Sequence, residues 1–261
     1  MSDTKSLERL LDVMKRLRDK EKGCPWDIAQ TSESIIKYTV EEAYEVYDAV
    51  ERGDDDALKE ELGDLLFHVV FHSRIAEESG KFDFFDTVQS ACEKMIRRHP
   101  HVFGTACGAP DWEEMKKDER SRKSQTGILD GIAKSLPATT RALKLQNRAA
   151  GVGFDWNDPF LILDKIDEEM NELKDEMEQP SHADQREDEM GDLLFVCVNL
   201  SRKLGIDPEK ALKRANAKFE RRFSHIEKSL KAAGKTFEET TLDEMEALWT
   251  QAKHLERAKT P

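Results

Sequence analysis

Glu169 and Glu172 stand three residues apart, and Glu189 and Asp192 repeat that spacing further along the chain. On a helix a three-residue step puts both side chains on one face, about a turn from each other. A short loop between two such helices makes them antiparallel neighbours, so the two acidic pairs face each other across a hairpin. Four converging carboxylates repel unless a cation neutralises them, and an all-oxygen set suits Mg²⁺ or Mn²⁺ rather than zinc. Downstream, Lys218 and Arg222 lie four apart and can grip phosphate oxygens from one helix face, with Asn216 a hydrogen-bond donor beside them. Together these residue types point to metal-bridged phosphate chemistry.

The constellation occurs twice. "EELGDLLFH" (60 to 68) returns as "DEMGDLLFV" (188 to 196); Glu42 and Glu45 map onto Glu169 and Glu172 at an offset of 127, and Glu61 and Asp64 onto Glu189 and Asp192 at 128. "ACEKMIRRH" matches "ANAKFERRF" at 124, pairing Lys94 with Lys218 and Arg98 with Arg222. The recurrence, and the position of the acids beside apolar residues such as Leu65 and Leu66, separates them from an ordinary solvated face. Each nonamer also holds a glycine, Gly63 or Gly191, inside a helical pattern. Such a glycine costs about 1 kcal/mol relative to alanine, so we expect a backbone or a ligand to approach closely there.

The elements that must position these acids are helices. Apolar residues recur at helical spacing, as in Val40, Ala43, Tyr44, Tyr47 and Val50, and no two-residue alternation appears. Asp158 before Pro159, Asp207 before Pro208 and the "TLDE" box from Thr241 to Glu244 read as helix starts. "RGDDD" and "EQPSH" read as the hairpin turns. The expected fold is all-α, a tandem repeat of two helical-hairpin modules at 1–104 and 138–261. The Gly-, Ser- and charge-rich stretch 105–137 is the expected linker, with a short helix near Trp112 to Arg120.

The chain has 261 residues, 36% of them charged, and a formal net charge of -13. That balance repels nucleic acid and anionic membranes, and an anionic substrate then needs a bridging cation. Cys24, Cys92, Cys107 and Cys197 show no paired spacing, and no apolar run is long enough to span a bilayer. We therefore expect a soluble cytoplasmic protein without disulfides. The ExxH of di-iron bundles, the DDxxD of prenyl-diphosphate enzymes, the phosphate-binding GxxxxGK[ST] loop and the GxSxG elbow are all absent from the sequence. His68 and His72 meet Val196 and Leu200 in the second copy, so they read as packing histidines, and the proline in "RRHPHVFG" reads as a helix stop. Trp26 and Trp156, near the start of each unit, read as core or lid residues.

The pattern EExxE (Glu168, Glu169, Glu172; Glu41, Glu42, Glu45) followed by ExxD resembles the MazG-type nucleoside triphosphate pyrophosphohydrolases. "CPWD", "RRHPHVFG", "LKLQNRAA", "VGFDW" and "KFERRF" extend the resemblance over nearly the whole chain. It implies tandem all-α modules, homodimerisation and Mg²⁺-dependent hydrolysis of nucleoside triphosphates to monophosphate and pyrophosphate. Glu169, Glu172, Glu189 and Asp192 would then bind the catalytic metal. Lys165, Glu168, Lys218, Arg222 and Asn216 would hold the substrate, and Trp249 would stack on the base. Two other readings use the same residues: a non-enzymatic nucleotide sensor or scaffold, and a phosphohydrolase of diphosphate or alarmone-type nucleotides. The second unit is the expected main site, because Lys165 lies four before Glu169 whereas Lys37 lies five before Glu42, Cys92 stands for Asn216, and Trp249 has no counterpart.

Overall fold

Capping residues set where the helices begin. The computed structural model describes residues 3–104, 115, 127–179 and 182–259, and among them there is no strand. In the first unit α1 (Asp3–Leu17) and α2 (Pro25–Ala29) precede α3 (Ser32–Arg52), α4 (Asp55–Glu78), α5 (Phe84–Arg98) and α6 (Pro100–Phe103). In the second, α7 (Ala138–Ala150) leads into α8 (Pro159–Met177), α9 (Ala183–Lys203), α10 (Pro208–Ala232) and α11 (Leu242–Lys259). The chain divides into two compact units, Met1–Lys116 and Lys117–Pro261. Most of the expected linker, including its short helix apart from Met115, lies outside the described residues.

The turn between α3 and α4 works as its sequence suggests. Gly53 takes the left-handed conformation at φ 65°, which costs a residue without Cβ little, and the Asp54 carboxylate accepts from the Ala57 N–H at 3.1 Å. Asp158 and Asp207 cap α8 and α10 ahead of Pro159 and Pro208. At the start of α11 the Thr241 N–H donates to Glu244 Oε2 (3.0 Å) and the Glu244 N–H to Thr241 Oγ1 (3.3 Å), completing the capping box. Pro100 ends α5 at Arg98 and opens the single turn of α6.

Each unit is organised on one antiparallel hairpin, α3 with α4 and α8 with α9, the most extensive helix pairs in the protein. The first core is Met14, Ile35, Val70, Phe71 and Phe84, drawn from α1, α3, α4 and α5. Arg18, just after α1, ties three elements together: it pairs with Glu78 at the end of α4 (2.7 Å) and donates to the carbonyls of Asp27 and Gln30. In the second unit Ile162, Val196, Val198, Ile226 and Leu230 are buried, and Gln146 of α7 donates to the Phe195 carbonyl on α9 at 2.8 Å. Asp155, before α8, pairs with Arg202 and with Lys203 (2.6 Å) at the end of α9. Among the described residues no helix is long and apolar enough to cross a membrane.

Candidate active site

The hairpins bring the predicted acids together. On the second, carboxylate oxygens of Glu169, Glu189 and Asp192 all lie within 4.8 Å of one another, and on the first those of Glu42, Glu45 and Glu61 do the same. The fourth acid of each set stands beside its group and acts through charge: Glu172 raises the pKa of Glu189, and Asp64 raises those of Glu42 and Glu61. Burial is the larger cause in all three cases, and like charge adds to it. Glu42 is pushed up to about 7. Groups that strain to stay ionised, and that offer only oxygen, fit a hard divalent cation.

Lys165 meets the second group directly, its Nζ 2.8 Å from Glu168 and 2.7 Å from Glu169. The hydrogen bonds that it donates to Glu168 and Glu169 raise its pKa, so the ammonium stays charged. Glu169 itself is only 4% exposed, and this contact supplies its counter-charge. Lys37 is differently placed, over the Tyr38 ring at 4.7 Å. At the offset that sets Glu42 on Glu169, the residue in the place of Lys165 is Tyr38.

The other predicted substrate residues sit on α10 and α11. Arg222 pairs with Glu256 at 2.8 Å and lies over the Trp249 ring, 5.4 Å from its centroid; Phe219 packs against the same ring at 5.3 Å. Asn216 and Lys218 are exposed on α10, and among the described residues no hydrogen bond or ion pair joins them to the carboxylates. The structure thus forms two clusters, the acids with Lys165 and Glu168, and Arg222 with Trp249 and Glu256. Sequence reasoning missed Glu256, whose signal was one acid among many on a charged helix.

Three other expectations resolve as follows. A Cβ at Gly63 or Gly191 would meet no described atom within 4 Å, so close backbone approach within the chain is not the reason for either glycine. His68 and His72 lie outside the metal-spaced groups and share the Thr39 hydroxyl, at 3.3 Å and 3.0 Å. Trp26 is no core residue: it is 54% exposed.

The model of the MazG nucleotide pyrophosphohydrolase domain matches residues 30–103 and again 159–227, one segment for each hairpin with its third helix. The chain belongs to the MazG family. It is 48% identical over 258 residues to the nucleoside triphosphate pyrophosphohydrolase of Escherichia coli strain K12, covering 96% of this chain and 98% of the relative. It is 44% identical over 248 residues to the nucleoside triphosphate pyrophosphohydrolase/pyrophosphatase MazG of Thermotoga maritima, covering 94% and 95%. With the nucleoside triphosphate pyrophosphohydrolase of Mycobacterium tuberculosis the identity is 37% over 171 residues, 63% of this chain and 51% of that one. The two matched MazG segments contain every carboxylate of both groups.

Proposed function

We propose that this MazG-family chain hydrolyses nucleoside triphosphates to the monophosphate and pyrophosphate with Mg²⁺, for which Mn²⁺ can substitute, and that its second unit is the main site. The observation that carries the proposal is the group of Glu169, Glu189 and Asp192 with Lys165 already seated against it. The names of the full-length relatives support the reaction. Glu169, Glu172, Glu189 and Asp192 would hold the ion. When bound, Mg²⁺ offsets phosphate charge, polarises the α-phosphorus and lowers the pKa of a bound water.

The chain's own groups do the rest. Lys165, fixed by Glu168 and Glu169, offers its ammonium to a phosphate oxygen, and a carboxylate edge of the set orients the attacking water in line with the leaving pyrophosphate. Arg222, braced by Glu256, and Lys218 and Asn216 on the same helix are the further phosphate contacts. Trp249 takes the base by stacking, which recognises any base.

In this reading the protein is a cytoplasmic homodimer of modules 1–104 and 138–261 joined by 105–137. Leu62 and Leu66 on α4 and Met190 and Leu194 on α9 are exposed apolar residues at repeat-related positions, surface that a second copy would cover. Cys24, Cys92 and Cys197 are unpaired, in keeping with a reducing compartment.

Product analysis over common and altered nucleoside triphosphates tests the reaction. Pyrophosphate and monophosphate should form with Mg²⁺ and stop when it is chelated. Absence of pyrophosphate from the whole panel refutes the reading, and orthophosphate as product replaces it with diphosphate-type hydrolysis.

A further inference from the structure

Beside its carboxylate group the first unit has a cavity of about 320 Å³. Four aromatic rings line it, those of Trp26, Tyr38, Phe67 and Phe71, together with the buried Ile35. The Trp26 and Tyr38 rings stand 6.2 Å apart at 55°, and with Trp26 half exposed the indole keeps surface for another flat group. The polar part of the lining is Glu42 and His68. Glu42 belongs to both cavity and carboxylate group, so a ligand in the cavity reaches the acids without crossing open protein surface.

His68 is held by its neighbours. Its Nδ1 lies 3.3 Å from the Thr39 hydroxyl, which also meets His72 Nε2 at 3.0 Å, and its Nε2 stands 3.7 Å from Glu42 Oε1. A hydroxyl shared by two rings fixes the orientation of both, and leaves Nε2 of His68 as the nitrogen turned toward the cavity lining. The repeat makes these choices informative. The second unit has Lys165 for Tyr38, Val196 for His68 and Asn199 for Phe71. Where one hairpin places a cation for phosphate, the other places rings and a hydrogen-bonding edge.

We propose that this cavity is the base pocket of a distinct nucleotide site in the first unit. A nucleoside phosphate would stack its base on Trp26 and Tyr38, present its edge to His68, and extend its phosphates to Glu42, Glu45, Glu61 and Asp64 through a divalent cation. The proposal rests on the reading above that the chain acts on nucleoside phosphates. The volume supports it, because it lies at the small end of ligand pockets, about 300 to 1,000 Å³: room for a base, with the phosphates left outside at the acids. The aromatic walls supply affinity for any base, whereas a positioned polar edge discriminates between bases.

Equilibrium dialysis of the full chain with Mg²⁺ and α,β-imido triphosphates of adenosine, guanosine, cytidine and uridine tests the pocket, with tryptophan fluorescence as a second readout. Two nucleotides should bind per chain for at least one base. Trp26→Ala and, independently, Tyr38→Lys should weaken one of the two by about tenfold or more; Trp26 is 54% exposed, whereas Tyr38 packs against the core cluster, so the thermal midpoint is measured for both variants. His68→Val should narrow the spread of affinities between bases at that site. One nucleotide per chain in the wild type, or two whose affinities ignore both Trp26→Ala and Tyr38→Lys, overturns the proposal. Pyrophosphate release by the wild-type chain in the same preparation separates that outcome from failure of the proposed function, which would show no release.

Discussion

The two hairpins keep the same acids and differ in what surrounds them. Around Glu169 the second unit places Lys165, an ammonium in contact with two carboxylates. Around Glu42 the first places Tyr38, His68 and Phe67, and Glu42 is pushed up to about 7 by burial and by Glu45 and Asp64. On the proposed readings the units share an acidic set and differ in the neighbours around it, which would favour phosphate in the second and a base in the first. Ion pairs close each hairpin in different ways as well, Arg18 with Glu78 in the first and Asp155 with Arg202 and Lys203 in the second.

The comparison can be broken most severely at the acids. Glu172→Gln or Asp192→Asn should lower pyrophosphate release by at least about 100-fold, since each removes a carboxylate from the set that would hold the ion. The thermal midpoint should not fall, because each change also relieves like-charge repulsion. Full turnover in either variant contradicts the role given to the second group. A stability comparison comes next. Arg18→Met should destabilise the first unit by about 2 kcal/mol, because it leaves the partly buried Glu78 without its main partner and frees the Asp27 and Gln30 carbonyls. Denaturant unfolding measures this, and an unchanged midpoint would remove Arg18 as the tie between α1, α2 and α4.

Trp249→Ala sharpens the comparison within the second unit. Stacking is worth about 1 to 3 kcal/mol per base, so KM should rise roughly tenfold with kcat little altered. A fall in kcat at constant KM would place Trp249 in support of Arg222 rather than on the base. The smallest effect is in acid. Burial pushes Glu78 up, but the hydrogen bond and charge of Arg18, joined by Arg74, more than offset it and hold the carboxyl below its ordinary 4.5. The unfolded chain then takes up the proton first. The contribution of the pair is complete above about pH 4.5 and is lost as pH falls through the lower folded value. Asp155 follows the same sign against an ordinary 3.8: burial raises it, and Arg202 and Lys203 bring it lower. The stability gap between wild type and Arg18→Met should accordingly close on acidification below 4.5, and that for Arg202→Met only below 3.8. A gap independent of pH would contradict both assignments.

Local chemistry was the legible part of this fold. Asp54, Asp158, Asp207 and the Thr241–Glu244 box start helices because each offers an oxygen to unpaired N–H groups of the next turn, a rule that needs no tertiary information. The acidic groups were legible because a three-residue step fixes a helix face and a short turn fixes which helix it meets. What was not legible depends on packing between elements distant in sequence. Trp26 was expected in a core or lid, and α2 leaves it exposed, which excludes the core position. Glu256 holds Arg222 across 34 residues, a pairing that no periodicity encodes. Gly63 and Gly191 looked like points of close approach, and within the chain they meet open space. Tyr38 carried a signal only once Glu42 was aligned on Glu169, which set it against Lys165.

The central claim, that the second hairpin performs the hydrolysis and the first has turned to another use, is tested most directly at one repeat-related pair. Glu61 and Glu189 occupy equivalent positions, each within its carboxylate group. Steady-state pyrophosphate release should be measured for Glu61→Gln and Glu189→Gln side by side, at saturating Mg²⁺ and triphosphate. The account expects Glu189→Gln to lose nearly all turnover and Glu61→Gln to retain most of it; loss in Glu61→Gln with turnover kept in Glu189→Gln would contradict it.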